Sequence, residues 1–105
     1  SILQTLADAY KSQQLRGYKL TPFKSFYLAT LGGAESLDCA EHIGNFVAGK
    51  EADFLVLDLA ATPLMDDRLQ HCSSLLEQLF VIAMLGDDRT IEQTYAAGVL
   101  VHQRD

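Results

Sequence analysis

Phe54-Leu55-Val56-Leu57 constrains the fold of this chain more than any other stretch. Side chains alternate between the two faces of a strand, so four consecutive apolar residues demand cover on both. Asp53 and Asp58 bracket the run and are expected to mark its ends. A turn at Ala48-Gly49-Lys50 precedes it, with glycine supplying positive φ, and Asn45 to Val47 before that reads as a short strand. Such a strand needs neighbours on both sides, and a chain of 105 residues has few to offer. It looks made for a larger sheet.

The pattern around it changes period at Gly44. Upstream the spacing is helical: Ile2, Leu3, Leu6, Ala9 and Tyr10 recur on one face, and Gly17 ends the run. Thr21-Pro22 is a start signal, a capping residue followed by proline at the first helical position. Phe23, Phe26, Tyr27 and Leu31 give a wide apolar face closed by Gly32-Gly33, with a short helical extension through Ala34 to Leu37. Helices are therefore expected within 2–16 and 21–37. Downstream, Leu59 to Arg68, with Pro63, reads as a loop, and Ser74-Leu75-Leu76-Glu77 as a capping box opening a helix to Leu85, with Gly86 past its end. Strands are expected near 53–59 and 90–102, the second a hairpin turning at Ala97-Gly98.

Composition excludes several classes of function. The chain is 49% hydrophobic and 21% charged, as globular proteins are. Eight basic against fourteen acidic residues leave a net charge of -6, which argues against nucleic acid or an anionic membrane as partner. The longest apolar run, Leu79 to Leu85, is far too short to span a bilayer, and the first residues lack the apolar core of a signal peptide. Cys39 and Cys72 are too few for a disulfide framework and fit free thiols in a reducing cytoplasm. The chain begins at Ser1 in what reads as mid-helix, a hint of polypeptide upstream.

No catalytic constellation emerges. His42, His71 and His102 are the only histidines, without H-x-H or H-E-x-x-H spacing, and a hydrolytic zinc site needs about three protein ligands. His71 and Cys72 are neighbours whose side chains diverge on a helix or strand. Gly32-Gly33 lacks the strand-then-helix context of a phosphate loop, Ser73-Ser74 reads as a cap, and Asp87-Asp88-Arg89 reads as a solvated turn with a possible ion pair. Catalytic, substrate-binding and metal-ligating residues of this chain are accordingly set at none.

A resemblance adds what spacing cannot. "IGNFVAGKEADFLVLDL" resembles the I-G…G-K-x-A-D-hydrophobic segment of the amidohydrolase superfamily, and "TPFKSFYLATLGGAESL" the helix pair that precedes it there. Within that superfamily, "YKSQQLRGYKLTPFKSFYLATLGGAESL", "ATPLM" and "LGDDRTIEQTYAAG" are similar, in order, to the C-terminal quarter of the guanine deaminase family. Asp38-Cys39 departs from the usual glycine and apolar residue at that turn. On this resemblance Thr30 caps a second short helix, in place of one helix through 37.

The resemblance implies an α+β fragment. Residues 1–43 would be the last helices of a (β/α)8 barrel, and 44–105 the C-terminal segment of a small β-sandwich with one helix. It implies a parent enzyme hydrolysing guanine to xanthine and ammonia with zinc, all its catalytic residues lying before Ser1. Partners would be the remainder of the polypeptide, guanine, and a second copy in a homodimer, in the cytoplasm. Two other readings stand beside it: a piece of another amidohydrolase, such as a related nucleobase or aromatic-amine deaminase or a chlorohydrolase, and a non-enzymatic domain binding through open strand edges.

Overall fold

The computed structural model describes residues 1–105. Helix α1 spans Ile2–Leu15, and Gly17, at φ 79°, turns the chain away from it; Ser1 is not mid-helix as read but its cap, the hydroxyl accepting from the Leu3 N–H at 3.3 Å. Leu3 and Leu6 are buried as the helical spacing predicts, joined by Ala7, while Ala9 and Tyr10 of the predicted face are half-buried and Ile2 is exposed. Helix α2 (Pro22–Ala29) starts as the Thr21-Pro22 signal requires, the Thr21 hydroxyl accepting from the Lys24 N–H at 3.2 Å.

The expected single helix over 21–37 is two. The chain breaks at Thr30 (φ -123°, ψ -101°), and α3 follows over Leu31–Ser36. Thr30 occupies the capping position of α3, but its hydroxyl bonds back to the Phe26 carbonyl at 2.6 Å and caps nothing ahead. Gly32 and Gly33 lie inside α3 instead of closing α2. A Cβ on Gly32 would lie 2.8 Å from the Tyr27 ring, so the small residues let α3 turn close over α2.

Asn45 to Val47 form no strand, because the partner of β1 (Phe54–Leu57) is supplied from the far end of the sequence. These residues instead lead into the Ala48-Gly49-Lys50 turn, where the Lys50 N–H reaches the Val47 carbonyl at 3.1 Å and Gly49 has φ 93°. The reading of 59–68 as a loop is also overturned, since Pro63–Gln70 is helix α4. Its start repeats the Thr-Pro signal of α2: the Thr62 hydroxyl accepts from the Met65 N–H at 3.2 Å, with proline in the first turn. Residues 44–105 thus carry two α-helices, not one.

Helix α5 spans Leu75–Leu85, capped by the Ser74 hydroxyl accepting from the Glu77 N–H. The reciprocal half of the expected box is displaced by one residue, because the Glu77 carboxylate accepts from the N–H and hydroxyl of Ser73. A 3-10 turn at Asp88–Thr90 then leads into β2 (Ile91–Ala96) and β3 (Val99–Gln103). The hairpin turns at Ala97 (φ 50°) and Gly98 (φ 77°), a pair of positive φ values that matches the strand twist.

The sheet is antiparallel in the order β1-β2-β3. One core holds it to the helices: Leu3 and Leu6 of α1, Met65 of α4, and Ile82 and Ala83 of α5, with Leu57 of β1 packed against them. Helix α5 folds back onto α1 and α2, so the two halves of the chain share this core. Only 12 of the 105 residues are buried.

Candidate functional site

The sheet offers the most distinctive surface. Partners in register share a face, so Phe54 and Tyr95 project together and Leu55 and Thr94 project opposite, while an irregularity between Thr94 and Tyr95 shifts the pairing with β3. The Phe54 and Tyr95 rings stack at 4.5 Å with 10° between planes, and Phe46 tilts against Phe54 at 5.9 Å. Phe46 is nevertheless 83% exposed, and every residue of β3 is exposed, Val99 and Val101 among them. The outer edge of β3 has no neighbouring strand, and such an edge is a template for further pairing. The arrangement is suited to contact, not to proton transfer.

One charged group fastens this sheet. Arg104, just past β3, donates to the Asp58 carboxylate at 2.8 Å and to the Arg89 carbonyl, while its own N–H reaches the Glu92 carbonyl at 2.8 Å. It thereby ties the end of β1, the 3-10 turn and β2 together. The Arg104 guanidinium holds the Asp58 carboxyl below the usual carboxylate range, helped by the Ala60 N–H. Arg89 likewise lowers Asp87 through a bidentate pair, so the segment read as a solvated turn carries the ion pair that stood as its alternative. Asp53 marks the start of β1 by accepting from the Ala97 N–H at 2.7 Å, which ties the strand to the hairpin turn. Sequence reasoning missed Arg104. Forty-six positions separate it from Asp58, and no spacing rule links them.

This pair makes a prediction about acid. A carboxyl whose native pKa is depressed stabilises the fold above its unfolded value, near about 3.9, and the contribution is lost as pH falls through the native value. Arg104→Met should therefore destabilise the chain at neutral pH, and its deficit against wild type should shrink as the pH is taken below about 4. Urea midpoints across that range measure it. A deficit unchanged by acid would show that the guanidinium's bond to the Arg89 carbonyl, not its pair with Asp58, holds the strands.

The residues singled out for chemistry lie apart. His71 ends α4 with Nδ1 at 2.8 Å from the Asp67 carbonyl, and the Cys72 thiol points back to the Arg68 carbonyl at 3.4 Å. Both are occupied with the last turn of their own helix. His102 sits on β3 opposite Thr94. Cys39 is half-buried in the turn after α3, its N–H on the Ala34 carbonyl at 2.9 Å. His42 borders an open hollow with Glu35, Asp38 and Glu41. Ser73 and Ser74 cap α5, and Gly32-Gly33 serve helix packing. No three His, Cys, Asp or Glu side chains converge as a ligand set, so these residues do not fit a catalytic metal. No helix is long and apolar enough to cross a membrane.

The pattern of the amidohydrolase family matches residues 1–101. The guanine deaminase of Escherichia coli (strain K12) is 53% identical over all 105 residues, which cover 24% of that protein. The solved structure of the E. coli guanine deaminase superposes on the whole chain with a TM-score of 0.98, the chain covering 25% of it. The crystal structure of guanine deaminase from Bradyrhizobium japonicum does so with a TM-score of 0.82 at 30% identity, 28% of that chain being covered. The chain thus spans about a quarter of the length of the relatives it matches.

Proposed function

This chain belongs to the amidohydrolase family, and from that premise we propose that it is the C-terminal part of a metal-dependent guanine deaminase. The observation that carries the reading is identity of 53% to a guanine deaminase along the entire chain, in the same conformation at a TM-score of 0.98. The whole enzyme would hydrolyse guanine to xanthine and ammonia in purine catabolism, in the cytoplasm and as a homodimer. Its metal, zinc on this reading, would be held outside these 105 residues, and no step of the reaction is assigned to a residue of this chain.

The contribution of this chain is architectural. Residues 1–43 would close the wall of a (β/α)8 barrel, and 44–105 would form part of a β-sandwich beside it. The switch from three consecutive helices to a sheet after Gly44 supports that division. Helix α5 would then be the element that joins the two, since it packs on α1 and α2.

The full-length protein is expected to release ammonia from guanine, and the 105-residue chain alone to release none. The chemical reason is that generating hydroxide at neutral pH takes several metal ligands and a proton shuttle, which the scattered histidines here do not supply. An ammonia assay with added zinc, on both proteins, is the check. Turnover by the short chain would reveal a site among His42, His71, His102, Cys39 and Cys72. A full-length protein inactive on guanine but active on another amine would move the assignment to a different amidohydrolase.

A further inference from the structure

Helix α5 is covered along only half of its length. Nine of the eleven residues in Leu75–Leu85 are apolar, and a helix apolar around its circumference belongs in an interior. Two rows run along it at helical spacing, Leu75-Leu79-Ile82 and Leu76-Phe80-Ala83. At the C-terminal end both rows are closed over, with Ile82 and Ala83 each 4% exposed in the core with α1 and α4. At the N-terminal end the same rows are open: Leu75 is 61%, Leu76 42% and Phe80 38% exposed. Phe80 touches one ring, an edge-on contact with Tyr10 at 5.4 Å. The cover stops while the apolar rows continue.

The surface as a whole tells the same story. The chain exposes 6986 Å², about 1,200 Å² more than the roughly 5,800 Å² expected of a folded monomer of 11.6 kDa. Other bare apolar residues lie on separate elements, Phe23 and Leu28 on α2 and Val99 and Val101 on β3. A two-fold contact between copies covers one self-complementary patch. Several patches on different elements call for an enclosing body. The chain is a quarter of the E. coli protein on which it superposes, so about three times its own length of polypeptide stands outside it there.

We propose that the N-terminal half of α5, through Leu75, Leu76 and Phe80, is the seat for polypeptide preceding Ser1 in the full-length protein, an intramolecular contact and not a dimer surface. The inference rests on the reading of this chain as the C-terminal part of a longer protein. It gives α5 a second role, clamped between this core and the body of the enzyme.

Thiol labelling tests it in the full-length protein. Leu76→Cys is treated with a maleimide under native conditions and after denaturation, and the peptide carrying position 76 is read by mass spectrometry. Modification of the native protein should be about a hundredfold slower than of the denatured one, as for a side chain that must wait for local opening. The protection should be the same at two protein concentrations, the lower one chosen so that light scattering shows a monomer, because an intramolecular contact does not dilute. Labelling at the denatured rate would overturn the proposal, and so would protection present only at the higher concentration, which would assign the surface to a second copy. Leu75→Cys gives the same reading should the first variant fail to fold. Guanine turnover is measured separately, so a failure of the activity assignment leaves the labelling result intact.

Discussion

Replacing Met65 with alanine should lower the melting temperature of this chain by about 8–40 °C, since emptying a buried methionine site costs about 2–5 kcal/mol and each kcal/mol moves a domain of this size by about 4–8 °C. Met65 has no exposed surface and stands where α4 meets α1 and α5. Its sulfur also accepts from the Thr90 hydroxyl at 3.6 Å, and Thr90 is itself fully buried. Met65→Leu separates the two contributions. It keeps most of the volume, so a smaller loss, below about 1.5 kcal/mol, is expected, with the Thr90 hydroxyl proton left without a partner. Circular dichroism melts of the three proteins decide it. A shift below about 4 °C for the alanine variant would mean that α4 is peripheral to the core.

Gly44→Ala is expected to cost about 2–5 kcal/mol, from backbone strain and overpacking together. Gly44 has φ 109°, a conformation L side chains rarely adopt, and it lies against α3. An added Cβ would stand 3.0 Å from the Ala34 Cβ and 3.1 Å from the Leu31 Cα. Gly49 is the control, because it has φ 93° but open space where a Cβ would project. Gly49→Ala should carry the strain alone and cost less. Equal losses in urea midpoint for the two variants would show that contact with α3 contributes nothing.

Much of the fold was legible in the residues. The Thr21-Pro22 and Ser74 starts, the buried face of α1, the Ala97-Gly98 hairpin and the strand at 54–57 each rest on a local rule: a cap, a period, a positive φ. Where such a rule was present but discounted, as at Thr62-Pro63, the error came from weighing Pro63 as a breaker when it stands in the first turn, the place a helix tolerates it. The candidate surface was half legible. The apolar strand asked for cover on both faces, and of its residues only Leu55 is exposed; the barest apolar residues lie instead on β3, Phe46 and α5, where no sequence signal pointed.

The sequence by itself determined that this is an α+β chain with helices first and a hairpin last. Those properties depend on neighbours a few residues apart, where spacing fixes geometry. Only the tertiary structure decided that β1 pairs with β2 instead of residues 45–47, that Arg104 reaches Asp58, and that α5 is buried at one end and open at the other. Each joins or fails to join groups that are distant in sequence, and such contacts are chosen by competition among all surfaces the chain can bury. For a chain spanning a quarter of its relatives, part of that competition takes place with surfaces beyond its own residues.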